Sequence, residues 1–419
     1  MPKRSAKRVV LAYSGGLDTS VICRWLVEQG WGVVAWAADL GQREDWAAVR
    51  RKALHSGAVS FRKSDLRAQF VEEFVWPALM MNAQYEGRYL LGTSLARPCI
   101  AREHVRVARD EGAGAIAHGA TGKGNDQVRF ELTAAALAPE LRVVAPWRMP
   151  EFYNVIRGRQ EAIAYAREHR IPIKATAEKP WSSDENVLHI SFEAGMLEDP
   201  AQTPREDMFE LTRSPRKAPQ RAARIRIGFD QGRPVSLTPG RGAKAWGKPR
   251  RLKPLTILQE LNALAGHHGV GRVDMVESRF VGMKSRGVYE TPGGTVLLTA
   301  HRDLEGLTMD RDLMHLRDTL MPRFASLVYN GLWFSRQMEA LLAFARESQR
   351  YVTGTVRLEL YKGNVTVLGR ESPVSLYDPQ VASMDDDAGA YDPTHAQGFI
   401  RLQGLPLRAH ARRTRRKNR

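Results

Sequence analysis

Arg8-Val-Val-Leu-Ala-Tyr-Ser-Gly-Gly-Leu-Asp-Thr-Ser20 decides how the chain reads. A short apolar run, Arg8 to Tyr13, breaks at Ser14-Gly-Gly16. A helical pattern follows in which Val21, Ile22, Trp25 and Leu26 share a face and Gly30 marks the stop. A strand with no polar face is one buried on both sides, as in a parallel sheet. The loop after it has a physical use. Gly15 and Gly16 permit a sharp turn and a close approach of backbone to a ligand, and the free N–H groups opening the helix favour an anion there. Ser14, Thr19 and Ser20 add hydroxyls without bulk. Asp18 cannot hold phosphate directly, so it caps the helix or holds Mg2+. For Ser-Gly-Gly alone the plain alternative is a tight turn with a polar cap. Neither G-x-x-x-x-G-K-[ST] nor G-x-G-x-x-G follows this strand, so it opens neither an ordinary P-loop nor a dinucleotide fingerprint.

Working outward, strand patterns at Trp31 to Ala38, Ala58 to Arg62, Ala113 to Gly119 and Leu141 to Pro146 alternate with helical ones, among them Asp45 to His55 and Asp65 to Leu79. That alternation predicts an α/β doubly wound parallel sheet with its ligand at the strand C-terminal ends. After Pro180 the pattern changes to strands at Ile225 to Phe229, Val296 to Ala300, Val352 to Leu360 and Asn364 to Leu368, mixed with helical stretches. This predicts a second, α+β domain. Pro239 to Pro254 reads as an exposed basic loop, and the acid-free tail from Arg401 as a fraying end.

Composition narrows the class. The 419 residues suit two or three domains, and 43% hydrophobic with 26% charged residues is ordinary for a globular protein. Cys23 and Cys99 are too few for a disulfide framework or a cysteine-rich zinc site. The basic N-terminus lacks a secretory apolar stretch, and no run nears the roughly 18 apolar residues of a membrane span. The chain reads as cytoplasmic and free of the membrane. The net charge of +17 suggests nucleic acid, but residues 1–10, 240–254 and 401–419 hold 18 Lys/Arg and no acid, leaving 45 basic against 46 acidic residues elsewhere. The body is near neutral, and nucleic-acid contact is a candidate role of the basic segments alone. His267-His268 lacks partners at metal-ligand spacing and reads as structural.

Ser14-Gly-Gly-Leu-Asp18 resembles the pyrophosphate loop of the N-type ATP pyrophosphatases, whose shared chemistry is adenylation by attack on the α-phosphorus of ATP. Further blocks narrow the resemblance. These are Tyr89-Leu-Leu-Gly-Thr-Ser-Leu-Ala-Arg-Pro98, His118-Gly-Ala-Thr-Gly-Lys-Gly-Asn-Asp-Gln-Val-Arg129, Pro180-Trp-Ser-Ser-Asp-Glu-Asn186, the stretch from Gly269 to Gly294, Gly369-Arg-Glu-Ser-Pro373 and Gly398-Phe-Ile400. In this order they are similar to the argininosuccinate synthase family, over nearly the whole chain. His395 departs from it, standing where the family has an acidic residue.

The second block also reads on its own. Asn125 and Arg129, four apart, share a helix face; an Arg takes a carboxylate and an Asp an ammonium, which suits amino-acid substrates. The resemblance implies three regions: a nucleotide-binding domain over 1–175, a synthetase and oligomerisation domain over 176–375, and a C-terminal arm with a basic tail over 376–419. It implies ATP contacts at Ala12, Tyr13, Ser14, Gly15, Gly16, Leu17, Asp18, Thr19, Ser20, Ala38 and Gly119. Citrulline would meet Tyr89, Ser94, Asn125, Arg129, Ser182, Ser191, Glu277 and Tyr289, and aspartate Thr121, Asn125 and Asp126. Asp18 and Asp126 are the candidate catalytic residues. Mg2+ would enter with ATP, no organic cofactor is expected, and the assembly implied is a homotetramer. The expected reaction ligates citrulline and aspartate through a citrullyl adenylate, releasing AMP and pyrophosphate. A tRNA-modifying pyrophosphatase is the rival reading, but its sulfur-transferring kind needs a cysteine pair that Cys23 and Cys99 poorly supply. A nucleic-acid-binding module on the same fold is the other. Asp126 and the substrate phosphate both remain candidate bases.

Overall fold

In the computed structural model, which describes residues 7–122, 124–172, 180–241, 245–383 and 391–417, β1 is Arg8–Ala12. With β2 (Gly32–Asp39), β3 (Ser60–Asp65), β4 (Ala115–Ala117) and β5 (Arg142–Val144) it makes a five-stranded parallel sheet in the order β3-β2-β1-β4-β5. Side chains of β1 alternate between two layers. Val9 and Leu11 pack with Val21, Ile22 and Leu26 of helix Leu17–Glu28, whereas Val10 packs with Trp36, Phe70 and Phe74 on the other face. All three β1 residues are fully buried, which is why the run carries no polar face.

Strand order reverses direction at β1, whose neighbours are β2 and β4. Ligands of open α/β sheets sit outside the strand C-termini at such a switch point. The residues leaving β1 and β4 there are Tyr13 to Gly16 and His118 to Gly124.

The helical stretch expected over 65–79 runs as Arg67–Phe70, a π turn at Val71–Val75, and Trp76–Met80. Pro77 has no N–H to give the preceding turn, which accounts for the broken α ladder.

Beyond residue 180 the chain forms β6 (Ser182–Glu185), β7 (Ile190–Glu193), β8 (Ala223–Asp230), β9 (Arg233–Arg241), the short β10 (Ala245–Trp246) and β11 (Arg250–Arg251), β12 (Arg272–Ser278), β13 (Lys284–Glu290), β14 (Gly354–Tyr361) and β15 (Asn364–Glu371). One antiparallel sheet runs β12-β13-β7-β6; the other runs β10-β9-β8-β14-β15, with β11 also on β9. Helices Pro254–His267, Pro292–Thr308, Arg311–Tyr329 and Arg336–Ser348 accompany them. This is the expected α+β half.

Three local expectations are corrected. Val296 to Ala300 is not a strand but part of helix Pro292–Thr308, in which Val296, Leu297, Ala300 and Leu304 bury one face. A short apolar run does not distinguish a buried helix from a strand. The stretch from Pro239 to Pro254 is not simply a loop, because Trp246 pairs with Gly240 and Arg250 with Leu237 in the sheet; residues 242–244 lie outside the described set. The tail from Arg401 does not fray where described but continues helix Thr394–Lys417. The expected boundary at 175/176 also falls outside the described residues.

The chain separates into two compact units, Met1–Val374 and Ser375–Arg419. In the second, a short helix at Pro379–Ala382 precedes helix Thr394–Lys417, which exposes Phe399, Ile400, Leu402, Leu405 and Leu407. Among the described residues no helix is long and apolar enough to cross a membrane.

Candidate active site

The loop after β1 is held from below. Tyr13 donates its backbone N–H to the Trp36 carbonyl at 2.7 Å, extending the β1–β2 ladder to the lip of the sheet. Gly15 then turns with φ +77°, and a Cβ there would lie 2.9 Å from a Val49 methyl, so both backbone and space demand glycine. Lys52 donates to the Gly15 carbonyl at 2.9 Å. Ser14 Oγ lies 3.2 Å from Thr19 Oγ1 and accepts from the Gly16 N–H at 3.3 Å.

Two expectations for this loop change. Ser20 turns inward, bonding the Gly16 carbonyl at 2.7 Å and Tyr13 Oη at 2.8 Å, so its hydroxyl braces the turn. Asp18 does not cap the helix, whose N-terminus has no side-chain cap. Its exposed carboxylate has no hydrogen bond or ion pair among the described residues, and crowding, opposed by Arg159, raises it above the usual carboxylate range. Leu17 and Ala12 are half-buried beside it, and Ala38 closes the end of β2, its carbonyl accepting from Gln42 at 2.7 Å.

The loop after β4 faces this one. A Cβ on Gly119 would sit 3.1 Å from Thr19 Cγ2, which is how closely the two loops approach. Thr121 is exposed; Asn125 is buried and immediately precedes helix Asp126–Leu137. Asn125 Oδ1 accepts the Phe280 N–H at 3.1 Å from the turn between β12 and β13, which joins the parallel-sheet half to the antiparallel sheet. Asp126 is gripped on both sides, by Arg97 Nε at 2.8 Å and by Arg129 Nη1 at 2.8 Å. Burial opposes its charge, but the two guanidiniums outweigh burial and hold the carboxyl below its usual range. Arg97 reaches on to Asp184 of β6 at 2.9 Å, and Thr93 Oγ1 donates to the same carboxylate oxygen at 2.9 Å.

On the antiparallel sheet, Tyr289 stands opposite Ser191, and Ser182 opposite Glu193. Tyr289 stacks on Tyr89 with ring centroids 4.3 Å apart and donates to Glu277 Oε2 at 2.8 Å. Its ring reaches that far along the strand because Gly287 lies between; a Cβ there would be 2.2 Å from the phenol oxygen. Tyr329 donates to Glu277 Oε1 at 2.6 Å, stacks on Tyr85, and accepts Arg129 Nε at its backbone carbonyl at 2.9 Å. Burial raises the Tyr89, Tyr289 and Tyr329 phenols, so all three stay neutral; Tyr289 and Tyr329 donate to Glu277, while Tyr89 Oη accepts the Thr93 N–H at 3.0 Å. Glu277 is only 7% exposed, and among the described residues no cation pairs with it. A buried carboxylate held by two phenols and facing no cation is matched to a ligand cation. Ser94 is fully buried beside the Tyr89 phenol, while Ser182 is exposed.

Comparison with known proteins decides the relationship. A family model described as the arginosuccinate synthase N-terminal HUP domain matches residues 8–172, and one described as the arginosuccinate synthase C-terminal domain matches 181–410. The chain belongs to the argininosuccinate synthase family. The argininosuccinate synthase of Thermotoga maritima is 53% identical over 404 residues, covering 96% of this chain and 97% of that protein. The Danio rerio argininosuccinate synthase is 52% identical, with 96% of each chain covered. That of Syntrophus aciditrophicus is 54% identical over 406 residues, covering 97% of this chain and 98% of its own.

Within this argininosuccinate synthase fold, three cleft residues went unassigned in the sequence reading. Arg97 and Asp184 lie inside the Tyr89–Pro98 and Pro180–Asn186 blocks, so attention to their charge would have found them. Tyr329 is in no block and looks like an ordinary core tyrosine at the end of a helix. Among the described residues no group of three or more His, Cys, Asp and Glu is placed to hold a metal.

Proposed function

We propose that the chain joins citrulline to aspartate while cleaving ATP to AMP and pyrophosphate. The observation that carries this is the meeting of a phosphate loop with a cation-less buried carboxylate. The segment after β4 links them: Gly119 packs on Thr19 of the loop, Asn125 accepts from Phe280, and Arg129 donates to the carbonyl of Tyr329, which itself holds Glu277. The Ser14–Thr19 backbone and hydroxyls take the ATP phosphates, with Ala38 and Gly119 beside the nucleoside. Glu277 takes the citrulline ammonium, Arg129 its carboxylate, and Tyr89, Ser94, Asn125, Ser182, Ser191 and Tyr289 complete that pocket. Thr121, Asn125 and Asp126 hold aspartate. The nucleotide-binding part is assigned to 1–175, the synthetase part to 176–375 and the arm to 376–419.

The donor set fits Mg2+ arriving with ATP: Asp18 offers hard oxygens without a protein partner, beside the Ser14 and Thr19 hydroxyls. Held by Asp18 and the ATP phosphates, the ion would supply positive charge against the departing pyrophosphate. The protein's own work is positioning and electrostatics. The ureido oxygen of citrulline attacks the α-phosphorus and pyrophosphate leaves; the aspartate amine then attacks the activated carbon and AMP leaves. Asp126 retains lone pairs for the aspartate ammonium, but two guanidiniums make it a weak base. The adenylate phosphate is therefore the better proton acceptor. A cytoplasmic homotetramer is the assembly this reading carries. Product analysis tests it: AMP and pyrophosphate should form only with citrulline present, and ADP as product would overturn the reading.

A further inference from the structure

Helix Arg311–Tyr329 ends in a glycine stop. Gly331 turns with φ +80°, its N–H donating to the Val328 carbonyl at 3.1 Å while the Leu332 N–H donates to the Leu327 carbonyl at 2.8 Å. Tyr329 is the last helical residue, so no N–H of a following turn reaches its carbonyl. That carbonyl accepts Arg129 Nε at 2.9 Å instead, at the negative end of the helix dipole. Gly331 packs on the same arginine, since a Cβ there would stand 2.7 Å from Arg129 Cα. The Tyr329 ring faces the Arg129 guanidinium, whose carbon is 5.0 Å from the ring centroid.

The phenol end of Tyr329 reaches a group of opposite charge. Its hydroxyl donates to Glu277 Oε1 at 2.6 Å, and Tyr289 donates to the other carboxylate oxygen. Tyr85 stacks on the Tyr329 ring with centroids 3.7 Å apart and donates to the carbonyl of Ser278, the neighbour of Glu277, at 2.6 Å. One residue therefore holds Arg129 through its backbone and Glu277 through its side chain. With Nε on Tyr329 and Nη1 on Asp126, Arg129 keeps Nη2 without a hydrogen bond among the described residues.

We propose that Tyr329 is a positioning residue that sets the spacing between Glu277 and Arg129, and so selects an amino acid whose ammonium and carboxylate share one carbon. The proposal rests on the reading of Glu277 and Arg129 as the partners of the citrulline ammonium and carboxylate. Both side chains are buried, Glu277 to 7% and Arg129 to 4% exposure, so water cannot make good a misplaced charge. Both are also long and flexible, and fixing them before the ligand arrives removes that ordering cost from binding.

Tyr329→Phe tests this. It keeps the ring, its stack on Tyr85 and the carbonyl on Arg129, and removes only the hydroxyl, so its melting curve should stay near that of wild type. The citrulline KM should rise roughly tenfold, the loss of one hydrogen bond to a charged group, with kcat within about twofold and the ATP and aspartate KM values unchanged. β-Homocitrulline, whose charges stand one methylene further apart, should have nearly the same inhibition constant in both proteins, so the preference for citrulline narrows about tenfold. In a Glu277→Gln background the same substitution should add less than about twofold, because the group it positions has lost its charge. A citrulline KM within about twofold of wild type overturns the proposal. So does an equal rise in all three KM values, which would make Tyr329 a general brace, and so do additive effects of the two substitutions. A wild type that releases no pyrophosphate with ATP and citrulline fails at an earlier point: the reading of the site falls, and the spacing proposal with it.

Discussion

The Ser14–Ser20 loop and the Glu277 pocket, the sites proposed for ATP and citrulline, are built by opposite means. The loop is backbone: a positive-φ glycine and helix-opening N–H groups within a few residues of one strand, with Lys52 of a later helix bracing the Gly15 carbonyl. The pocket is side chain: Tyr89, Glu277, Tyr289 and Tyr329 arrive from four separate elements and share hydrogen bonds and stacked rings. A backbone site tolerates no change of shape, whereas a side-chain site loses contacts one at a time. The teaching is practical: damage to the loop should abolish both half-reactions, and damage to the pocket should fall on one substrate.

The largest effect should come from Gly15→Ala, which places a Cβ against Val49 and strains a positive-φ turn. Pyrophosphate release in a single turnover should fall ~100-fold or more, about 2.7 kcal/mol of barrier. A variant that folds, by its melting curve, yet stays within a few-fold of wild type would mean that the turn is not what positions ATP. Glu277→Gln comes next. It keeps partners for both phenols but removes the charge, so the citrulline KM should rise roughly 10- to 100-fold with the ATP KM nearly constant. Equal changes in both constants would erase the distinction between the two regions.

Asp126→Asn should have the smallest and most selective effect. Argininosuccinate formation should fall about tenfold more than pyrophosphate release without aspartate, the loss of one charged hydrogen bond. Because Asp126 also anchors Arg129, an equal fall would mean that it acts through the citrulline side. The same pairing makes a pH statement. A carboxyl held below its unfolded value contributes stability at neutral pH and loses that contribution as pH falls through the folded value.

This contrast also explains what the sequence made legible. Residues 8–20 state their fold locally, because a strand buried on both faces, two glycines and a helical pattern each follow from short-range rules. The helix opening at Asp126, with Asn125 and Arg129 one turn apart, was readable for the same reason. Tyr329 was not, since it lies 52 residues from its partner Glu277 and at the end of a helix whose pattern reads as core. Gly287 was equally silent; its role is the space it leaves for another residue's ring. Val296 to Ala300 misled because buried helix and buried strand share a composition. The pairing of the 240–254 segment onto β9 was hidden because its charge suggested only exposure.

The central claim is that citrulline is activated by its own ureido oxygen on the α-phosphorus. Citrulline labelled with oxygen-18 at the ureido position, turned over with ATP and aspartate, tests that directly by mass spectrometry of the products. The label should appear in the phosphate of AMP, with none in pyrophosphate. Unlabelled AMP, or label in pyrophosphate, would contradict the adenylate and with it the account of the cleft.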